Sequence, residues 1–264
     1  MYARGSGVPQ DDAAAESWYR KAAEQGDSVA QFNLGCLITQ GRVVTKTEDE
    51  ALAWYLRSAE QGNHRAQCML GYAYSTEFAN APKDMAQAVS WFRRAAEQNN
   101  ADAQYWLGVL SQRGDGIEKD EVAATTWFRK AAVQGDVSAQ RALGSACEYG
   151  RGADLDNAQA VYWYRMAAEQ GCALCQCWLA DMYAWGKGAP KDLEQAMLWY
   201  RRAAEQGNAP AQYRMGVACE QGDGIPKDVA QAAAWYRKAA DLGLEEAKRH
   251  LHALLDSHAT GAVH

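Results

Sequence analysis

The sequence predicts an all-α solenoid of seven helix-turn-helix units, and three observations point to it. Trp18, Trp54, Trp91, Trp127, Trp163, Trp199 and Trp235 recur at intervals of 36, 37, 36, 36, 36 and 36 residues, a period typical of stacked supersecondary units. Each Trp lies in a phrase with small or apolar residues three and four apart, such as Ala196, Trp199 and Ala203, which form one stripe of a helix. Gly26, Gly62, Gly135, Gly171, Gly207 and Gly243 close that phrase, and Asn99 closes it in the third unit. A left-handed residue after a helix is easiest for Gly and tolerable for Asn.

The first helix of each unit, B, starts at about 11, 47, 84, 120, 156, 192 and 228, where Asp11, Thr47, Asp84, Asp120, Asp156, Asp192 and Asp228 can accept from the free N–H groups of a first turn. Glu50, Gln87, Gln159, Gln195 and Gln231, three residues further on, predict capping boxes. The second helix, A, starts at about 27, 63, 100, 136, 172, 208 and 244. A joint of about two residues makes the two helices antiparallel neighbours. Helix A carries Leu34-Gly35, Leu70-Gly71, Leu107-Gly108, Leu143-Gly144, Leu179-Ala180 or Met215-Gly216. Gly inside a helix costs about 1 kcal/mol relative to Ala, so it predicts close approach of another helix.

Loops such as Gly222-Asp-Gly-Ile-Pro-Lys-Asp228 lead to the next B helix. Residues 77–84 lack the Gly-x-Gly and hold one extra residue, which predicts a locally altered loop. Residues 1–10 read as a partial repeat, the end of an A helix plus its loop, and residues 11–257 as a single solenoid. Leu244 to Ser257 read as a final A helix whose Lys248, Arg249, His250 and His252 make a polar cap over the last core face. Residues 258–264 read as a disordered tail.

A net charge of −6 and the lack of a Lys/Arg cluster argue against nucleic acid as a partner. No apolar run approaches the roughly 18 to 20 residues of a membrane span, so membrane insertion is not expected. The seven cysteines form an odd set without a regular pair in every unit, which argues against a disulfide framework. Unpaired thiols point to a reducing compartment such as the cytoplasm. A chain opening in mid-repeat leaves room for an upstream signal and a periplasmic or secreted address.

The phrases Asp192-Leu-Glu-Gln-Ala-Met-Leu-Trp199-Tyr-Arg-Arg-Ala-Ala-Glu-Gln-Gly207 and Ala103-Gln-Tyr-Trp-Leu107-Gly108 resemble the Sel-one-like repeat family, a branch of the tetratricopeptide superfamily. The resemblance runs from about residue 2 to 255 in seven phased copies. It implies a right-handed superhelix with A helices lining a concave face. It also implies a scaffold or adaptor that holds a peptide or protein partner, as in bacterial signalling and envelope assembly.

In the tetratricopeptide relatives the concave surface comes from A-helix positions two before the Leu of Leu-Gly and one after its Gly. In this chain those positions include Phe32, Tyr72, Tyr105, Arg141, Asp181 and Tyr213. Most are of the aromatic and Arg types that dominate binding hot spots. Arg65 would add a carboxylate clamp. The competing reading is that the aromatics pack between neighbouring A helices. Trp106, Trp178 and Trp185, outside the phased set, read as packing.

No catalytic, metal-ligating or cofactor-binding set emerges. Cys172-Ala-Leu-Cys175-Gln-Cys177 is the one suggestive cluster, since a helix N-terminus lowers a thiol pKa. Cys175, however, stands where other units have Ala30, Ala66, Ala103, Ala139 and Ala211, a small buried slot that Cys fills as a minor hydrophobe. The Gly-x-Gly loops lack the strand and third glycine of a phosphate cradle. Some Cys-rich members of the family resembled are associated with β-lactam binding or hydrolysis. No Ser-x-x-Lys occurs here, and Lys46-Thr47 is followed by Glu48 rather than Gly, so the serine β-lactamase motifs are absent. A helical-repeat RNA reader is opposed by the acidic charge. The expected function is a non-catalytic adaptor for a peptide or protein, with partner identity and oligomeric state left open.

Overall fold

The computed structural model describes residues 11–42 and 47–261, with side chains through 256. Its helices are α1 (Asp12–Glu24), α2 (Ser28–Thr39), α3 (Glu48–Glu60), α4 (His64–Thr76), α5 (Met85–Glu97), α6 (Ala101–Arg113), α7 (Glu121–Val133), α8 (Val137–Tyr149), α9 (Asn157–Glu169), α10 (Ala173–Trp185), α11 (Leu193–Glu205), α12 (Ala209–Gln221), α13 (Val229–Asp241) and α14 (Glu245–Gly261). No strand occurs among the described residues. The architecture is an all-α repeat solenoid in which odd-numbered helices are the B helices of the sequence reading and even-numbered ones the A helices.

The described residues form two compact units, one up to residue 136 with α1 to α7 and one from residue 137 with α8 to α14. Within each unit every helix packs on the one that follows it. The expected partial repeat over 1–10 lies outside the described residues. The final helix continues to Gly261, beyond the expected end near 257, because no Gly or Pro interrupts it before that position.

Most B-to-A joints are a cap, a left-handed residue and a second cap. Asn63 shows the device: its N–H donates to Ser58 O at 3.2 Å, closing α3, while its Oδ1 accepts from the N–H groups of Arg65 and Ala66, opening α4. Gly62 between the helices has φ +88°, and Asn99 adopts φ 61° at the equivalent place. Asp27, Asn100 and Asn208 repeat the arrangement.

The B-helix caps differ from the capping box expected. Asp84, Asp192 and Asp228 do accept from the N–H of Gln87, Gln195 and Gln231. The reciprocal half is replaced, since the caps' own N–H groups donate to the preceding A helix. Asp84, Asp120, Asp156, Asp192 and Asp228 bond Tyr74, Ser111, Cys147, Tyr183 and Cys219 carbonyls at 2.8 to 3.0 Å. With that donor already satisfied, Gln87 turns its amide to its own cap's Oδ2 and Gln231 accepts from Cys219 Sγ.

The third loop keeps the left-handed start of the others and then departs from them, with Ala81 N–H donating to Phe78 O at 3.1 Å. Glu77 and Ala79 take φ 60° and 59°, the left-handed values that Gly114 and Gly116 hold one repeat later. The extra residue falls after them, around the buried Ala81. The second glycine of the regular loops has an added reason to be there: a Cβ on Gly188 would lie 2.1 Å from Asn157 O, and one on Gly116 2.5 Å from the Met85 backbone.

From the second repeat on, the core is deepest one residue after the phased Trp. Tyr55, Phe92, Phe128, Tyr164, Tyr200 and Tyr236 are fully buried, whereas Trp18 is 61% exposed and Trp91, Trp127 and Trp235 are half-buried. Most of these indoles hold a cation over one face, supplied three residues on: Arg57 over Trp54 at 4.7 Å, Lys130 over Trp127 at 4.1 Å and Arg202 over Trp199 at 4.6 Å. The deep rings explain the A-helix glycines. A Cβ on Gly71, Gly108, Gly144 or Gly216 would sit 2.5 to 2.6 Å from the Phe92, Phe128, Tyr164 or Tyr236 ring.

A buried amide ladder joins successive repeats. Gln31, Gln67, Gln104, Gln176 and Gln212 donate to Ala23, Ala59, Ala96, Ala168 and Ala204 carbonyls at 3.0 to 3.1 Å. Gln31, Gln67, Gln104, Gln140 and Gln176 accept from the cap amides of Gln61, Gln98, Gln134, Gln170 and Gln206 at 2.7 to 2.9 Å. A buried amide left unpaired costs about 1 to 3 kcal/mol, so each rung fixes how one B helix sits on the next.

Candidate interaction surface

In the first unit the A helices bring Phe32, Arg65, Tyr72 and Tyr105 onto a common run, joined by Trp106. Phe32 is only 6% exposed, with its ring 6.0 Å from Tyr55. Its outer side carries the exposed Arg65, whose guanidinium stands 4.7 Å over the ring. Phe32 therefore acts as a floor and Arg65 as the group presented to solvent.

Tyr72 is half-buried, edge-on to Phe92 at 5.4 Å and to Trp106 at 5.3 Å. Its hydroxyl accepts from Trp106 Nε1, and burial pushes its pKa upward. Tyr105 contacts Trp106 at 5.7 Å and Phe128 at 5.8 Å. Trp106 thus links two of the candidate positions and stacks on Phe92 at 6.2 Å. Packing accounts for its inner edge, and Tyr72, Tyr105 and Trp106 are each half-buried.

In the second unit the candidates fall into separate places. Arg141, on α8, is half-buried and its charge favours the thiolate form of Cys172 at the start of α10. Asp181 accepts from Tyr200 Oη at 2.5 Å and lies 3.5 Å from Arg214 Nε. Burial raises the Asp181 carboxyl, and Tyr200 and Arg214 oppose that shift. Arg214 also stands 5.5 Å over Trp185, itself 62% exposed. Trp185, Lys191, Tyr200, Arg214 and Asp223 help to line an open pocket of about 270 Å³. Tyr213 lies 5.3 Å from His250, its hydroxyl 3.1 Å from Nε2, beside the Tyr236 ring.

Sequence reasoning missed Arg214, although it stands in the phase of Trp106 and Trp178, one residue beyond the candidate series. It missed His250 as a partner for Tyr213 because that contact depends on the terminal helix. Among the described residues no group of three His, Cys, Asp or Glu converges to hold a metal, and no helix is long and apolar enough to cross a membrane. The first unit offers aromatic faces beside one guanidinium, and the second offers an exposed indole beside Arg214 and the half-buried Asp181.

Fold and surface together define a helical-repeat solenoid of the tetratricopeptide-like kind. Sel1 repeat models match residues 1–27, 28–63, 64–100, 101–136, 137–172, 173–208 and 209–244, and the chain belongs to the Sel1 repeat family. It is similar to the crystal structure of a protective antigen present in uropathogenic Escherichia coli strains that displays an SLR fold. That match has 35% identity and a TM-score of 0.87 and covers 96% of this chain. This chain spans 54% of the Escherichia coli protein's length. A Sel1 repeat protein from Oxalobacter formigenes is similar at 36% identity, over 96% of this chain and 73% of that one, with a TM-score of 0.78. Curated proteins give no match. Repeats of this family commonly mediate protein–protein interaction and are generally non-catalytic.

Proposed function

We propose that the chain is a non-catalytic adaptor whose A-helix side binds an extended segment of a partner protein. The observation that supports this reading is the half-buried aromatic cluster of Tyr72, Tyr105 and Trp106, bordered by the exposed Arg65 over Phe32. Rigid aromatics lose little conformational entropy on binding and dominate hot spots, and an exposed guanidinium can grip a carboxylate. The ligand is therefore a peptide with apolar side chains and at least one acidic group. Arg214 over Trp185 offers the second unit a similar cation beside an exposed indole.

The test is affinity capture by wild type beside an Arg65→Ala/Tyr72→Ala/Tyr105→Ala variant, matched for helical circular dichroism. A Tyr213→Ala/Arg214→Ala variant addresses the second unit. Partners held by wild type and lost by a folded variant support the reading. Partners retained by both variants overturn it and move attention to the B helices.

A further inference from the structure

One repeat departs from the others at two linked positions. The cap of each earlier A helix is Asp27, Asn63, Asn100 or Asp136, and Asn208 follows, but α10 opens with Cys172. Three residues on, Ala30, Ala66, Ala103, Ala139 and Ala211 give way to Cys175. The two sulfurs lie 2.8 Å apart, and Cys172 Sγ also accepts from the Cys175 N–H at 3.4 Å. Cys172 is half-buried and reachable, and Cys175 is fully buried beneath it. A disulfide bond length of about 2.05 Å requires closing the pair by under about 1 Å.

We infer that Cys172 and Cys175 form a dithiol modification site that exchanges with low-molecular-weight disulfides, with Cys172 as the attacking thiol and Cys175 as the resolving one. In the first step the Cys172 thiolate bonds to one sulfur of the incoming disulfide. The incoming S–S bond breaks, and one thiolate departs and takes a proton from water. In the second step Cys175 attacks Cys172 Sγ and expels the second small thiolate, which takes up the Cys175 proton as it leaves. The two cysteine sulfurs are oxidised by two electrons in all, and the small disulfide is reduced by two.

The surroundings divide these roles between the two sulfurs. The hydrogen bond from Cys175 lowers the Cys172 thiol to about 6, against its burial, with help from backbone N–H groups and Arg141. The same contact and burial push Cys175 upward. Burial also raises Cys36, Cys68, Cys177 and Cys219. At neutral pH a thiol near 6 is mostly ionised, about ninetyfold more than one near 9. Its lower intrinsic nucleophilicity takes back roughly twentyfold, leaving about a fourfold gain over an ordinary exposed thiol. Buried thiols lag further for want of access.

The experiment treats the reduced full chain with oxidised glutathione at neutral pH, alkylates remaining thiols, and maps the products by mass spectrometry. Wild type should lose two alkylatable thiols through a Cys172–Cys175 disulfide. Cys175→Ala, which installs the residue of the other repeats, should accumulate a single glutathionyl adduct on Cys172. Cys172→Asn, which restores the usual cap, should abolish both products while keeping wild-type helicity. Wild type that stops at the mixed disulfide, or that reacts at the other cysteines as fast as at Cys172, would overturn the assignment.

Discussion

Gln206 donates its side-chain amide to Gln176 Oε1 at 2.7 Å, and the equivalent acceptor one repeat later, Gln212 Oε1, is buried without a partner. The difference is one residue, Leu242, which occupies the cap position that Gln206 fills in the repeat before. Leu242 is 57% exposed, so its side chain adds little to the core.

Leu242→Gln should complete the ladder and raise stability by about 1 kcal/mol. Gln206→Leu should create the same vacancy earlier and lower stability by about 1 to 3 kcal/mol. Urea unfolding followed by circular dichroism measures both. A loss of stability in Leu242→Gln would show that the ladder is not limiting at that end.

Gly144→Ala places a methyl 2.6 Å from the Tyr164 ring and should destabilise by about 1 to 3 kcal/mol through overpacking. The fifth A helix already has Ala180 at the equivalent position, fully buried. Ala180→Gly should therefore lose about 1 kcal/mol of helix propensity and bring no packing benefit. Opposite signs for the pair in thermal unfolding would contradict the close-approach account.

Glu77→Gly should stabilise the chain by about 1 kcal/mol, because Glu77 is exposed and holds a left-handed conformation that costs an L-residue about that much. Gly114→Ala imposes the same conformation in the next loop and should destabilise. Denaturation midpoints rank the two against wild type, and an unchanged or lower midpoint for Glu77→Gly would refute the strain at that residue.

Tyr200→Phe should be more damaging near neutral pH than in acid. A carboxyl raised above its unfolded value gives its full stability below that value and loses it as pH rises through the folded one. Burial raises Asp181 above 3.8, and the Tyr200 hydroxyl restrains the rise. Removing the hydroxyl lifts Asp181 further, so the variant should lose about 1.5 to 3 kcal/mol at about pH 7 and less at about pH 3. A pH-independent loss, followed by urea unfolding across that range, would separate Asp181 from the effect.

Features set by local chemistry were legible in the sequence. Asp27, Asn63 and Gly62 announce helix ends because their side chains or φ angles act within a few residues. The capping box at Asp84 was misread because its N–H is claimed by Tyr74, a partner named by tertiary packing. The phased Trp marks the repeat because it is unmistakable in sequence, but the ring that faces inward beneath the glycine of the A helix is its neighbour, which composition alone does not single out. For the candidate surface, residue type and phase suggested Phe32 and Tyr72 equally. The rings they meet bury the first and leave the second half-open. The spacing of Cys172 and Cys175 was visible, but the meeting of their sulfurs depends on rotamers that sequence does not encode directly.

The junction residue Asn63 has a consequence for how arrays of this kind grow or shrink. It ends one helix, begins the next, and its Nδ2 reaches Ser28 O of the preceding repeat at 3.4 Å. A recombination breakpoint inside the Gln61-Gly62-Asn63 triplet would break contacts with three helices at once. The loops from A to B helices are more forgiving, since the third already accommodates an inserted residue while keeping its closing bond from Asp84 to Tyr74. Repeats can be gained or lost by crossover at those loops, with each joint inherited whole.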